Sequence, residues 1–178
     1  PIGQWVVKEA CRQAKIWQEE GYSPVTMSVN ISVVQFRQQD LVERIQDVLD
    51  ETGLAAEWLE LEITESIVAD DIDRITKVLD ELKVLGIRAA IDDFGTGYSS
   101  LSYLTRLPFD TLKIDQSFVR NTDRQNWAIV RAVVQLARSL ELKIVAEGIE
   151  TMGSMHQLRD LGCHIGQGYY FSRPIPAT

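Results

Sequence analysis

The chain has 178 residues, 45% of them hydrophobic and 25% charged, with 18 basic and 26 acidic side chains for a formal net charge of −8. That length suits a single domain with a real core. The acidity excludes a protein that coats nucleic acid, which needs a basic surface, but leaves open an anionic substrate, because bound cations reverse the local sign of an acidic site.

Short β-rich runs alternate with amphipathic helices. A first helix is expected from Gln4 to Glu20, with Val6, Ala10, Ala14 and Trp17 on one stripe and Gly21 just beyond. Pro24 to Ser32 alternates apolar and small polar residues and predicts a strand, followed by one helix from Val34 to Glu51 that ends near Gly53. Trp58 to Ile63 predicts a second strand, Asp71 to Leu85 a helix stopped by Gly86, and Ile87 to Asp92 a third strand. A Gly/Ser loop and a short helix at Leu101–Arg106 lead to a strand at Thr111–Ile114. A helix at Arg124–Leu140, a strand at Leu142–Glu147, a helix at Met152–Leu161 and a last strand within Cys163–Phe171 complete the series.

Six strands separated by helices predict an α/β fold with a parallel sheet and right-handed crossovers. Both an open doubly wound sheet and most of an eight-stranded barrel fit. Neither GxGxxG nor GxxxxGK[ST] follows the first strand, so a nucleotide-binding open sheet lacks its signature. No linker or low-complexity run divides the chain, and residues 1–178 read as one domain.

Cys11 and Cys163, without CxxC spacing, give no zinc or disulfide signature and read as reduced thiols. With only His156 and His164, a histidine-rich metal centre is excluded. No run of 18 apolar residues could span a membrane and no signal peptide is visible, so this segment is expected to be cytoplasmic without membrane contact. Pro1-Ile2-Gly3 lacks an initiator Met, which suggests upstream sequence and a parent that could itself be membrane-attached.

The strand ends carry the chemical signal. They hold Asn30, Glu62, Asp92 with Asp93, Lys113, Glu147 and Gln167 in chain order. In a parallel barrel these ends converge on one face, and converging carboxylates repel unless a cation neutralises them. Carboxylate and amide oxygens are hard ligands that favour magnesium or manganese over zinc. A pair of such ions cleaves phosphate esters, with Lys113 as a fixed positive charge beside them. Duller readings stay open for each residue. Glu62 shares its strand parity with Glu60 and could face solvent, and Lys113 could be an exposed charge. Asp92 and Asp93 could form a turn, and reach one site together only if the strand ends or bulges there. Gln167 could pair only with backbone near Gly166 and Gly168.

Six stretches together resemble the EAL family of cyclic-di-GMP phosphodiesterases. They are Asn30-Ile31-Ser32, Leu59 to Ser66 (LELEITES), Asp92 to Leu101 (DDFGTGYSSL), Leu112 to Val119 (LKIDQSFV), Ala146 to Glu150 (AEGIE) and Gly166 to Phe171 (GQGYYF). The resemblance implies a modified TIM barrel, present here as about six of eight strands, that opens cyclic-di-GMP to linear pGpG with two magnesium or manganese ions and is inhibited by calcium. It implies Asn30, Glu62, Asp92, Asp93 and Glu147 as metal ligands. Lys113 would hold the hydrolytic water, with Glu150 and Gln167 supporting water and substrate, and Tyr169, Tyr170 and Phe171 are candidates to stack on a base. Glu65 would anchor the loop Phe94 to Ser100, which in the family is associated with homodimerisation. Companion sensory or GGDEF domains are expected in the parent.

The Glu-Ala-Leu tripeptide that names the family does not occur in this sequence. Its glutamate is a family ligand, so the chain alone is expected to be impaired. The rival functions are a non-catalytic cyclic-di-GMP receptor, a dimerising signalling module, and a barrel hydrolase acting on another phosphodiester. Retention of Glu62, Asp93 and Glu147 favours the enzyme.

Overall fold

Helix α1 (Ile2–Glu19) opens the chain with Val7, Cys11 and Ala14 buried at i, i+4 and i+7. Of the expected stripe, Ala14 is buried and Ala10 and Trp17 are half-buried, while Val6 is exposed and Val7 and Cys11 take the inward places beside it. The computed structural model describes residues 2–68, 72–97, 101–121 and 123–177. Within them the strands are β1 (Met27–Asn30), β2 (Leu59–Thr64), β3 (Arg88–Phe94), β4 (Thr111–Ile114), β5 (Lys143–Ala146) and β6 (Ile165–Gly166).

These strands form one sheet in the order β1-β2-β3-β4-β5-β6, every neighbouring pair parallel. A doubly wound sheet reverses its order at a switch point. Here the order follows the sequence throughout, which is the winding of a barrel. A single cavity of about 330 Å³ is lined from every strand, including Ser28, Glu60, Arg88, Lys113, Val145 and Ile165, so the sheet curls around it.

Alternation sorts the two faces. Leu59, Leu61 and Ile63 of β2, Ile91 of β3, and Leu112 and Ile114 of β4 are fully buried on the outer, helix-covered face. Over it lie α5 (Ile72–Val84), with Ile75, Leu79 and Leu82 buried, and α8 (Arg124–Ser139), with Val130, Val133, Val134 and Ala137 buried. Glu60 and Glu62, Ala90 and Asp92, and Thr111 and Lys113 take the other parity and face the cavity.

Several boundaries differ from expectation for local reasons. The expected helix Val34–Glu51 is two, α2 (Val33–Phe36) and α3 (Leu41–Thr52). Ser32 and Gln35 close a capping box on α2, and the inward residues Phe36 and Leu41 are five apart, which no single helix can place on one stripe. The paired part of β1 starts at Met27 because its partner β2 starts at Leu59 opposite it. Strand β6 is only Ile165–Gly166, since its partner β5 ends at Ala146 opposite Gly166, before the left-handed Gly148, φ +67°. Two short helices at strand ends went unanticipated, α4 (Glu65–Val68) and α7 (Gln116–Arg120). Asp71, the expected start of α5, lies outside the described residues. Helices α6 (Leu101–Leu104) and α9 (Met152–Leu161) fall near where the pattern put them.

Candidate functional site

Lys113, on the cavity face of β4, is only 5% exposed. Its Nζ lies 2.8 Å from Glu62 Oε1 on β2, 2.7 Å from Glu147 Oε1 just past β5, and 3.1 Å from Asp92 Oδ1 on β3. Glu62 is also buried, so the solvent-face readings of Glu62 and Lys113 do not hold. Four strand ends thus meet at one ammonium.

The Asp92-Asp93 pair reaches the same place through a bulge. Strand β3 pairs Ile91 with Leu112 and then Phe94 with Ile114, so Asp92 and Asp93 together oppose Lys113 alone. Asp93 takes a left-handed backbone, φ 54°, which an aspartate tolerates better than most side chains. The geometry places one carboxylate oxygen each from Asp92, Asp93 and Glu147 within 4.8 Å of one another. Asp92 and Glu147 therefore belong to two groupings, one around Lys113 and one with Asp93.

Charge is unbalanced here, since Glu62, Asp92, Asp93 and Glu147 against Lys113 leave a formal −3. Burial, then the Asp92 and Asp115 charges, push the Asp93 carboxyl above its usual range. Burial also raises Glu147; Lys113 opposes this, while Asp92 and Glu62 add to it. For Lys113, burial by itself would lower the ammonium, but hydrogen bonds to Glu147 and Glu62 outweigh it and hold it above its ordinary value. The partners of the Lys113–Glu147 pair thus lean in opposite senses. The lysine stays charged because several carboxylates serve it, whereas Glu147 is lifted by its burial first, with the neighbouring carboxylates adding to that against the pull of Lys113. Asp92 Oδ1 is buried, with the Lys113 ammonium at 3.1 Å but no hydrogen bond of good geometry. Three hard carboxylate oxygens gathered within 4.8 Å fit a divalent cation of the magnesium or manganese kind.

Around this buried cluster lies a more open rim. Asn30 ends β1 opposite Glu62 and is exposed. Glu150 is exposed and pairs with Arg120 Nε of α7 at 2.8 Å. Exposed Gln167 donates its backbone N–H to Ala146 at 2.8 Å and accepts from Ile149 at 3.1 Å. Tyr169, Tyr170 and Phe171 are 41–55% exposed, with Arg173 stacked 4.6 Å over the Tyr169 ring. Glu65, buried at the start of α4, accepts the Gly95 N–H at 3.0 Å. At Gly95 (φ +97°) a side chain would also press on Phe118. Tyr98 to Ser100 of the same loop lie outside the described residues.

Two residues escaped the sequence reading. Asp115 is buried at the end of β4, caps α7 by accepting from Ser117 N at 2.9 Å, and adds its charge beside Asp93. Its signal was its place, the first residue past a strand that already offered Lys113. Glu60 is buried on the cavity face of β2, one pleat below Glu62.

The model of the EAL domain family matches residues 1–174. The chain belongs to the EAL family. Among EAL proteins, it is 45% identical over 178 residues to the bifunctional diguanylate cyclase/cyclic di-GMP phosphodiesterase MucR of Pseudomonas aeruginosa, covering 99% of this chain and 26% of that protein. A solved structure of the MucR phosphodiesterase in complex with c-di-GMP superposes with a TM-score of 0.95 at 45% identity, over 99% of this chain and 72% of that one. The signaling protein YkoW of Bacillus subtilis is 44% identical over 98% of this chain and 22% of its own length. The calcium/c-di-GMP complex of Klebsiella pneumoniae BlrP1 matches with a TM-score of 0.88 at 33% identity, over 99% of this chain and 45% of that one. The chain thus spans about a quarter of the curated relatives' length. The agreement bears out the TIM-barrel-like EAL fold expected from the six motifs.

Proposed function

We propose that this EAL chain carries most of a metal-dependent phosphodiesterase site that hydrolyses cyclic-di-GMP to linear pGpG. The observation that carries the reading is the bulged Asp92-Asp93 pair brought within 4.8 Å of Glu147 beside the buried Lys113. A phosphodiester anion cannot approach a cluster of formal charge −3 unless cations are present. Asn30, Glu62, Asp92, Asp93 and Glu147 would hold two magnesium or manganese ions. Bound there, the pair neutralises phosphate charge and acidifies the attacking water. Lys113 keeps a fixed positive charge at the same point and orients that water. Glu150 and Gln167 hold surrounding water and substrate, and Tyr169 and Tyr170 offer ring faces to a guanine. Water adds to phosphorus, the P–O3′ bond breaks, and the proton ends on the departing 3′ oxygen.

Several further readings rest on family membership. Residues 1–178 form one EAL unit, partial in that the Glu-Ala-Leu strand is not in this sequence, and the chain alone turns over poorly. Glu65 anchors the Phe94–Ser100 loop, through which two copies pair. Sensory or GGDEF domains accompany the unit in the cytoplasm. The described residues contain no helix long and apolar enough to cross a membrane. The test is pGpG production by the full-length protein with magnesium or manganese, set against calcium. Binding of cyclic-di-GMP without pGpG in magnesium would make the protein a receptor instead.

A further inference from the structure

Glu60 is a buried carboxylate with no part in the metal set, and its surroundings are built. Its exposure is 7%. Ser28 Oγ of β1 donates to its Oε1 at 2.8 Å, and Thr111 Oγ1 of β4 donates to its Oε2 at 2.7 Å. Ser28 is its direct neighbour in the β1–β2 register. Thr111 is not: it sits on β4, beyond β3. Strands two apart in a sheet are separated by about 10 Å, so Glu60 crosses the cavity face of β3 to reach it. The contact is diagonal: Glu60 lies opposite Arg88 on β3, and Ala90, fully buried and opposite Thr111, puts only a methyl group on the Thr111 side of the crossing.

The same two strands are joined again one pleat higher. Glu62 is two residues past Glu60 on β2, Lys113 is two past Thr111 on β4, and they meet at 2.8 Å. Glu60–Thr111 and Glu62–Lys113 are successive rungs across β3. Each rung has a glutamate on β2, but the lower one ends on the short Thr111 and has both carboxylate oxygens occupied, so it fixes the separation of β2 and β4. The upper rung, with its longer and more adaptable lysine, inherits that separation.

We infer that Glu60 is a positioning residue for the site above it: the Ser28–Glu60–Thr111 bridge, passing over Ala90, sets the distance at which Glu62 and Lys113 face each other. The bridge acts through geometry, because neither Glu60 nor Thr111 touches Asp92, Asp93 or Glu147 in the hydrogen-bond pattern of the described residues. The inference rests on the proposed phosphodiesterase reading for its activity readout only.

The test uses the full-length protein with three single variants, Glu60→Ala, Glu60→Gln and Thr111→Val, and the double variant Glu60→Ala/Thr111→Val. Activity is read well below each variant's Tm, so that loss of folded protein does not enter. Glu60→Ala and Thr111→Val are each expected to lower kcat on cyclic-di-GMP about ten-fold with KM within two-fold. They break one rung from opposite ends, so the double variant should match either single one. Glu60→Gln, whose amide still exchanges hydrogen bonds with both hydroxyls, should recover most of the rate. Manganese affinity by calorimetry should weaken in Glu60→Ala and hold in Glu60→Gln, whether or not the wild type hydrolyses cyclic-di-GMP. A wild type without turnover would thus sink the functional reading and leave the rung testable by metal binding. Unchanged kcat and manganese affinity in Glu60→Ala would overturn the inference, as would additive losses in the double variant.

Discussion

The buried cluster and the exposed rim of this site are built by different means. Glu62, Asp92, Lys113 and Glu147 stand on strands or at their immediate ends, and their positions follow from sheet register, one bulge and the ion pairs of a single lysine. Asn30 is also on a strand, opposite Glu62, but exposed, while Glu150, Gln167 and the Tyr169–Phe171 run stand in the open beyond strand ends, held by backbone bonds and one surface ion pair. The contrast separates two jobs. A group that must hold charge against its neighbours belongs where the sheet fixes it, whereas a group that meets a large ligand belongs where the ligand can reach it.

The comparison can be broken most forcefully at its centre. Lys113→Ala leaves the buried Glu62 and Asp92 and the half-buried Glu147 without their shared cation, and loss of one partner from a buried pair costs about 3–5 kcal/mol. Chemical denaturation should show a loss of that size in chelator-treated protein, together with loss of hydrolysis. A stability change like that of a surface substitution would mean that the cluster is wetter than its burial indicates. On the rim, Glu150→Gln should cut turnover roughly 10–100-fold, the usual effect of groups that support a metal shell, while Tm stays nearly constant because its pair with Arg120 is exposed. A matching drop in Tm would make Glu150 a structural residue. Tyr169→Ala should raise KM about ten-fold with kcat held, within the roughly 1–3 kcal/mol that base stacking contributes. An unchanged KM removes Tyr169 from recognition.

The smallest expected effect has the opposite sign. Asp93 and Glu147 have folded-state pKa values raised above their ordinary ones, by burial first and neighbouring carboxylates next. Such groups stabilise the fold fully below the unfolded pKa and lose that contribution as the pH climbs through the folded value. Chelator-treated protein should therefore lose stability from the ordinary carboxyl range upward. Asp93→Asn should flatten that decline and raise Tm at neutral pH by about 1–2 °C, little because Asp93 is partly exposed. A fall in Tm on Asp93→Asn would show that the carboxylates are not in conflict.

Much of this arrangement was legible because period-2 and period-3.6 patterns act locally. The β4 strand and helices α8 and α9 fall where the apolar pattern put them, and Glu62 and Lys113 show themselves as polar groups at strand ends. What depends on a partner was not legible. The start of β1 is set by where β2 begins, and the shortness of β6 by where its partner β5 ends. The bulge that unites Asp92 and Asp93 is a register event between β3 and β4, seen in sequence only as a requirement. Glu60 remained ambiguous because Leu59 to Ile63 alternates perfectly while both of its faces are buried, one by helices and one by hydroxyls reaching in from β1 and β4.

The central claim is that the converging strand-end carboxylates hydrolyse a cyclic dinucleotide with divalent cations. It is tested most directly by following cyclic-di-GMP and pGpG chromatographically with the full-length protein in magnesium, in chelator, and with Asp92→Asn. The account predicts pGpG formation in magnesium alone, abolished by chelator and reduced at least a hundred-fold by Asp92→Asn. Equal turnover in chelator, or in Asp92→Asn, would contradict it.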